Sequence, residues 1–426
     1  MKNLAIESSK EIIREALLQC RALTLELFAS IDPEIFCPQA HPEFSPVGWH
    51  LGHIAFIESS WILQHLAGLP PMLPQYRRLW TADGLPKEER QNLPPIDVIY
   101  DYLNTVRERV LAYLETAPVE KEEKLWHWLV QHESHHNETV SFILSLHACN
   151  GKNVTSLVTS QVTKAANSLS PIENDFQTSE MVEIPAGEFE MGSNEVYALD
   201  CERLAHRFHL DSYWIDPYPV TCGQYRQFME AGGYQQRELW SDAGWKWLEA
   251  NEANEVSRPL YWSDSTDWDD CPVCGVSWYE ADAYARFVGK RLPSEAEWEK
   301  AASWDARTGT KRLYPWGTDE PSAKTCNHSN SVGHVSPVNV CPDGQSAYGC
   351  FDMLGNVWEW TDSWFEGYEG FESFPYTGFS QLYFDRQHRV LRGGSWASRR
   401  WVLRCSARNW YNPWVRQILA GFRCAR

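Results

Sequence analysis

Two histidines in the segment QHESHHNET, residues 131–139, have the spacing of metal ligands. On a helix, His132 and His136 lie one turn apart on the same face, so both imidazoles can turn toward one ion. The same segment forms an H-E-x-x-H pattern, in which the glutamate of a zinc hydrolase, here Glu133, is the base that activates water. The spacing therefore predicts a metal site and leaves open which metal and which reaction it serves.

A third imidazole is available in the earlier segment SPVGWHLGH, residues 45–53. We expect His53 to complete a three-nitrogen site with open coordination positions, and His50, one turn earlier, is the competing third ligand. Nitrogen ligands of this kind suit Fe(II), zinc or copper. His135 points to a neighbouring face of its predicted helix, where it could contact a substrate.

The predicted ligands fall in a region of long helical periodicity. Apolar residues at helical spacing, separated by Pro-rich breaks, predict the helices of an antiparallel four-helix bundle. These helices are expected at residues 8–31, 47–67, 95–117 and 121–148.

The chain changes character near residue 150. A stretch rich in Ser, Thr and Asn is typical of a linker. Beyond it, short apolar runs cut by Gly, Pro, Asp and Trp predict an α+β domain with much loop, in which helical periodicity returns at residues 279–288 and 294–303. The expected division is a bundle, a linker and a second domain, at residues 1–149, 150–178 and 179–426.

Charge and composition exclude several classes of function. The net charge of −19 argues against nucleic acid or an anionic membrane as a partner, because both bind basic surfaces. No stretch approaches the about 18 uninterrupted apolar residues of a membrane span, and the first residues lack the apolar core of a signal peptide. We therefore expect a cytoplasmic protein with mostly reduced cysteines, and we interpret the pair Cys271 and Cys274 as structural, since no second pair lies at zinc-ribbon spacing.

Six motifs follow one another in the second half of the chain: FEMGS, DPYPVTCGQYRQF, PVCGVSWYEADAYARFVGKRLPSEAEWEKAA, YPWG, GNVWEWT and RGGSW. Together they resemble the formylglycine-generating-enzyme (sulfatase-modifying factor) fold, a variant of the C-type-lectin-like architecture, over residues 180–426. The first half resembles the DinB-type four-helix bundle, whose members hold a metal with three histidines. The implied fold class is multidomain α and α+β, with the DinB-like bundle first.

The two halves together resemble the iron-dependent sulfoxide synthases of ergothioneine biosynthesis (EgtB type). In that family the iron ligands lie in SPxxWxxxH and HExxHxE segments. These match SPVGWHLGH and HESHHNE here and assign His53, His132 and His136 to Fe(2+). The resemblance implies an O2-dependent oxidoreductase that joins a cysteine-type thiol to the imidazole carbon of hercynine, a trimethylated histidine, as a sulfoxide. It also implies that Glu133 need not act as a base.

Formylglycine-generating enzymes themselves use a pair of cysteines shortly after the GGSW-like segment. Here Ser398 and Leu403 stand at those positions, which leaves that thiolate chemistry unsupported despite the nearby Cys405. Loss of the cysteine pair, together with a histidine-bearing bundle, favours the sulfoxide synthases.

A proton donor is implied by the stretch FPYTGFS before RGGSW. In the sulfoxide synthases, a tyrosine in a corresponding YxxYS stretch supplies a proton during oxygen activation. The match places Tyr376 in this catalytic role and Phe379 at the second aromatic position. A phenol suits the role because its ordinary pKa of about 10 keeps it protonated.

The family's betaine pocket uses an Asn-Trp pair after GGSW, which matches Asn409 and Trp410 in ARNWYNPW. Trp is the best cation–π partner for a quaternary ammonium. Ovothiol-pathway relatives, which take free histidine, tend to carry Phe at the Trp position, so hercynine is the favoured substrate. His135 stands where many members have a Gln that faces the substrate imidazole, and it could make a similar hydrogen bond.

The sulfur donor is where this sequence departs from the family. Members that use γ-glutamylcysteine carry an Asp directly after the Asn-Trp pair and an Arg four residues further on, and this chain has Tyr411 and Val415 there. A basic pair in the family's PxxxRxxLP segment matches Lys87 and Arg90. We therefore favour free cysteine over γ-glutamylcysteine, with Arg90, Lys87 and Arg416 as candidates for binding the donor.

Alternative functions stay open at this point. They are a selenoneine- or ovothiol-type synthase of the same superfamily, a zinc hydrolase with Glu133 as its base, and a non-catalytic binding module. The expected partners are small molecules only, namely hercynine, the thiol and O2. The sequence does not predict the oligomeric state.

Overall fold

The computed structural model describes residues 8–29, 31–149, 151, 180–251 and 256–426. The chain divides into two compact units, Met1–Thr159 and Ser160–Arg426. The predicted linker at residues 150–178 lies, apart from Gly151, outside the described residues. Its boundaries therefore remain a prediction.

The first unit is a bundle of long helices joined by short helical turns. The helices are α1 (Ser9–Ala29), α2 (Pro33–Phe36), α3 (Val47–Glu58), α4 (Arg77–Trp80), α5 (Ile96–Leu114) and α6 (Val119–Cys149). A π-helix, Ser59–Leu66, continues α3, and 3-10 turns lie at Pro74–Tyr76 and Lys87–Gln91. The four predicted helices are confirmed, with ends that differ by at most three residues.

Local sequence signals explain where these helices begin and which of them lies at the centre. Ser8 and Glu11 cap α1 reciprocally, since each side chain accepts a hydrogen bond from the other residue's backbone N–H. Nearly every residue of α3 is buried, and α3 packs against both α5 and α6. A helix that is buried on all sides exposes no polar face to solvent, as expected for the central element of a bundle.

The second unit combines small sheets with short helices. The α-helices in its described residues are α7 (Cys222–Glu230), α8 (Asp242–Ala250), α9 (Trp278–Phe287) and α10 (Glu295–Ser303). Its strands are β1 (Val182–Ile184), β2 (Gly187–Met191), β3 (His206–Leu210), β4 (Tyr213–Ile215), β5 (Trp304–Asp305), β6 (Thr310–Lys311), β7 (Trp358–Trp364), β8 (Arg389–Arg392), β9 (Arg408–Tyr411) and β10 (Ala420–Gly421).

The largest described sheet has the order β10–β7–β8–β9. In it β10 runs parallel to β7, while β7, β8 and β9 are antiparallel neighbours. Two-stranded antiparallel pairs are formed by β1 with β4, β2 with β3, and β5 with β6. Because β9 is an edge strand, the Asn-Trp pair on it lies at the border of the sheet.

Buried arginine–carboxylate pairs hold the irregular parts of this unit together. Each guanidinium lies in the interior beside a glutamate, so both charges are satisfied where water is excluded. The pairs are Arg392 with Glu299, Arg404 with Glu202, Arg408 with Glu295, and Arg423 with Glu359. The loops of this unit have few backbone hydrogen bonds to strands, so ion pairs between side chains far apart in the sequence hold them in place.

The two predicted helices of the second unit correspond to α9 and α10, and α7 and α8 were missed. A signal was present for α7, because Thr221 and Gln224 form a capping box at its start. For α8, Ser241 caps the first turn, but the helix is short and mostly exposed. All 12 cysteines are free thiols, and the structural interpretation of the buried pair Cys271 and Cys274 stays a prediction. None of the helices in the described part of the chain combines the length and hydropathy needed to cross a bilayer.

Candidate metal centre and substrate site

Three imidazoles converge inside the bundle unit. His53 comes from α3, while His132 and His136 come from successive turns of α6, and one ring nitrogen from each histidine lies within 4.8 Å of the other two. The Nε2 atoms of His132 and His136 are 3.2 Å apart. His53 and His132 are buried and His136 is half-buried, so the cluster is enclosed on most sides. The structure thus brings together the three histidines predicted as ligands.

The His53 ring is held from two directions. Its Nδ1 atom donates to the backbone carbonyl of Trp80 at 2.6 Å, which leaves Nε2 free for a metal. Trp49 stacks on the ring at 4.5 Å and 16°, and its own Nε1–H donates to the Leu79 carbonyl. A Cβ atom on Gly52 would lie 2.4 Å from the Trp80 ring, so glycine is what lets α4 approach α3 closely enough to provide that carbonyl.

The histidines are kept in the neutral form that metal binding requires. Burial lowers the pKa of His53 to about 4, although its bond to the Trp80 carbonyl opposes the shift. Burial and the neighbouring imidazoles lower the pKa of His132 and His136 well below the usual histidine value. Neutral rings with converging lone pairs fit a borderline divalent cation. Three nitrogens alone do not distinguish Fe(II) from zinc or copper.

Glu133 faces away from this cluster and into a buried network. Its carboxylate accepts from Arg21 at 2.8 Å, from Arg107 at 2.7 Å and from the Thr24 hydroxyl at 2.6 Å. Burial by itself raises the pKa of Glu133, but the two guanidinium charges outweigh it and hold the value at about 2. A carboxylate committed in this way has no free oxygen position for a metal-bound water. The zinc-hydrolase alternative is therefore left without its base.

The same network joins the four long helices next to the imidazoles. Glu58, at the end of α3, accepts from Arg21 of α1 at 2.8 Å and from Arg107 of α5 at 2.6 Å. Glu133 of α6 accepts from the same two arginines. All four side chains are buried. We call Arg21, Glu58, Arg107 and Glu133 the buried quartet, and it fixes how α3 and α6 present His53 and His132.

The predicted hercynine residues lie on β9 of the second unit. Phe365 stacks on the Trp410 indole at 4.2 Å and 9°, so one face of the indole is covered. Phe379 and Tyr383 approach the same indole at 6.2 and 5.5 Å between ring centroids. The Asn409 side-chain oxygen accepts from the Trp410 backbone N–H at 2.9 Å. Phe365 and Tyr383 were not predicted from the sequence, because their contacts with Trp410 depend on strand pairing and loop closure.

Tyr376 lies in the connection between β7 and β8, with 36% of its surface exposed. This connection is anchored by the buried carboxylate of Asp200, which accepts from the Phe374 backbone N–H at 3.1 Å and from the Ser380 hydroxyl at 2.6 Å. Asp200 comes from a segment more than 170 residues earlier, so no local sequence signal identified it. The anchor holds both ends of the stretch that carries Tyr376.

The basic residues predicted to bind the sulfur donor are engaged within the protein. Arg90 is buried against the Trp49 ring and donates to the Leu85 and Ala82 carbonyls and the Ser45 hydroxyl. Lys87 donates to the Glu43 carbonyl. Arg416 pairs with Glu280 at 3.1 Å. Binding of a donor by any of these three residues remains a prediction.

The positions that carry thiols in formylglycine-generating enzymes have structural roles here. The Ser398 hydroxyl accepts from the Ser395 backbone N–H at 2.8 Å, and Leu403 is buried. Burial raises the pKa of the Cys405 thiol far above its usual value, so this thiol stays protonated and unreactive.

Comparisons with known families match both halves of the chain. Residues 16–140 match the DinB superfamily, and residues 166–426 match the sulfatase-modifying factor enzyme 1-like domain. These matches confirm the predicted fold class, a DinB-like bundle followed by a formylglycine-generating-enzyme-like domain.

Comparison with individual proteins identifies the family. A hercynine oxygenase from Mycobacterium tuberculosis is 36% identical to this chain over 436 residues, covering 98% of this chain and 99% of that protein. This chain belongs to the hercynine oxygenase family. A hercynine oxygenase from Mycolicibacterium smegmatis is also 36% identical, over 438 residues and with the same coverage. Among solved structures, PvdO from Pseudomonas aeruginosa is similar at 26% identity and a TM-score of 0.44, covering 61% of this chain and 98% of that chain.

Membership in the hercynine oxygenase family makes this chain an enzyme of the oxygenase class. It confirms the resemblance to the sulfoxide synthases of ergothioneine biosynthesis that was drawn from the motifs. The non-catalytic binding module is thereby excluded as the main function.

Proposed function

We propose that this chain is an iron(II)- and O2-dependent sulfoxide synthase that joins a cysteine-type thiol to the imidazole carbon of hercynine. The observation that carries the proposal is the buried His53, His132 and His136 cluster in a chain of the hercynine oxygenase family. The atoms balance with O2 as the oxidant. One oxygen enters the sulfoxide, and the other leaves as water with the hydrogens of the imidazole C–H and the thiol S–H.

In this proposal Fe(2+) bound by the three histidines would lower the pKa of a coordinated thiol and activate O2. The protein's own part is to present three neutral imidazoles and to keep bulk water away from them. The Trp80 carbonyl and the Trp49 ring orient His53 for this purpose. His135 neighbours the cluster and is assigned to the substrate imidazole.

The proposal is tested by anaerobic reconstitution with Fe(II), followed by oxygen uptake in the presence of hercynine. Cysteine, γ-glutamylcysteine and a selenosugar are supplied in turn, and the products are identified by mass. We expect oxygen uptake and a sulfoxide-linked hercynine conjugate with a cysteine-type thiol. Absence of uptake with hercynine and every donor, or activity only with zinc, would contradict the proposal.

Free cysteine is the donor we propose. The positions at which γ-glutamylcysteine-using relatives carry an Asp and an Arg are Tyr411 and the buried Val415 here. Neither side chain can pair with the charges of a glutamyl group. A larger kcat/KM for γ-glutamylcysteine than for cysteine would overturn this part of the proposal, and turnover of the selenosugar alone would favour a selenoneine-type synthase.

Trp410 is proposed to bind the trimethylammonium group of hercynine on the indole face opposite Phe365. Trp410→Leu should raise KM for hercynine about 2- to 30-fold, since a cation–π contact contributes about 0.5–2 kcal/mol. The KM for free histidine, measured in parallel, should rise less, because histidine lacks the trimethylammonium group. Trp214→Leu is the control, because Trp214 is an exposed tryptophan on β4. An equal rise in KM for hercynine and for histidine would contradict the assignment of Trp410 to the trimethylammonium group.

Tyr376 is proposed as the proton donor of the reaction. Tyr376→Phe removes only the hydroxyl, so it should retain metal and hercynine binding while sulfoxide formation falls by about a hundredfold, as for loss of a general acid. Oxygen should then be diverted to the donor thiol alone and yield its sulfinic acid. Product analysis by mass checks both outcomes, with the half-buried Tyr218→Phe as the control. An unchanged sulfoxide yield would refute the role.

A further inference from the structure

We propose that His50 is a positioning residue that holds the ligand His136 in the orientation and tautomer required for metal binding. The inference rests on the proposed metal centre and adds to it a residue that contacts no substrate or metal. His50 precedes His53 by one helical turn on α3, so a single helix provides both a ligand and the support for a ligand on α6.

The two rings meet through one hydrogen bond. Nδ1 of His50 lies 2.8 Å from Nδ1 of His136, and the ring centroids are 5.1 Å apart. The opposite nitrogen of His136, Nε2, lies 3.2 Å from Nε2 of His132 and belongs to the convergent cluster. His136 therefore has one nitrogen directed to the cluster and one directed to His50. His50 itself reaches His136 from the side away from the cluster, so it supports a ligand and is not one.

The position of the proton follows from this arrangement. A neutral imidazole carries one N–H, and a metal ligand must present the bare nitrogen to the ion. If Nε2 of His136 is the ligand atom, its proton sits on Nδ1 and is donated to the Nδ1 lone pair of His50. His50 must then carry its own proton on Nε2. That Nε2 atom is buried and makes no hydrogen bond of normal geometry within the described residues, and the ring's other hydrogen-bonding contact is with the Ser45 backbone.

The hydrogen bond to His136 gives His50 a role that an apolar side chain could not fill. The residue is only 3% exposed, and burying a polar ring costs free energy that its hydrogen bonds must offset. An apolar side chain of similar size would avoid that cost. The feature that an apolar side chain could not supply is the acceptor for His136. The support of His53 is a backbone carbonyl, whereas the support of His136 is a side chain that can be exchanged.

Exchange of His50 therefore tests the inference on the full-length protein. His50→Leu removes the acceptor. His50→Asn keeps it, because the Asn side-chain oxygen takes the place of Nδ1. His50→Gln puts its oxygen where Nε2 was. The readout is the affinity of the metal-free protein for Fe(II) and Co(II), measured anaerobically against a competing chelator, together with the visible spectrum of the Co(II) form.

We expect His50→Leu and His50→Gln to bind both metals about 10- to 100-fold more weakly than the unchanged protein, as is typical when the partner of a ligating histidine is lost. His50→Asn should stay within a few-fold, with a Co(II) spectrum close to that of the unchanged protein. Equal metal affinities of the Asn and Gln variants would overturn the inference. This comparison remains decisive even when the Leu variant does not fold. If the unchanged protein bound neither metal, the metal centre itself would be refuted.

Discussion

His136→Ala should weaken metal binding by about a hundredfold or more and abolish turnover. Four-ligand zinc sites bind with about 10–16 kcal/mol, so one ligand contributes roughly 3 kcal/mol, and 1.4 kcal/mol corresponds to a factor of ten. His132→Ala and His53→Ala should behave alike, because the three ring nitrogens belong to one cluster. Metal content after reconstitution and dialysis, measured by mass spectrometry, checks the loss directly.

The matched control for these ligand variants is His127→Ala. His127 lies on α6 five residues before His132 and is half-buried beside Glu123, outside the convergent cluster. This variant should retain its metal. If all the histidine variants retained metal, the ion would have to be held elsewhere and the proposed centre would be wrong. Circular dichroism of each variant separates loss of metal from loss of the bundle.

The second large effect concerns the buried quartet. Arg107→Met should destabilise the bundle unit by about 3–5 kcal/mol, because it leaves two buried carboxylates facing one remaining guanidinium. Denaturant unfolding followed by circular dichroism, which reports on helix content, should show a midpoint at a clearly lower denaturant concentration. Arg109→Met, an exposed arginine two residues further along α5, is the control and should change little.

The quartet variant also tests the link between the fold and the metal site. Glu133 is adjacent to His132, and Glu58 ends the helix that carries His53. Arg107→Met should therefore lower metal affinity even under conditions in which it remains folded. Glu58→Gln combined with Arg107→Met should lower the free energy of unfolding by less than the sum of the two single changes, because the residues share one network. The role assigned to the quartet would be contradicted if the two changes lowered the free energy of unfolding additively, or if Arg107→Met were as stable as the Arg109→Met control.

Much of the bundle could be predicted from the sequence because its signals are local. Helical periodicity predicted the four long helices, and the i, i+4 spacing of His132 and His136 predicted that they share a face. The choice between His50 and His53 could not be made from spacing, since both lie on α3 within one turn. It depends on the angle at which α3 meets α6 and on the close approach of Trp80 that Gly52 permits.

The sequence by itself determined the order of the two domains, the family and which histidines could share one site, because motifs and helical spacing are properties of neighbouring residues. Only the tertiary structure decided that Glu133 is bound by Arg21 and Arg107, that the His50 and His136 rings meet, and that Asp200 anchors the stretch containing Tyr376. Each of these depends on a hydrogen bond or ion pair between residues far apart in the chain. Such contacts form only where packing brings buried polar groups together, since each must find a partner once water is excluded.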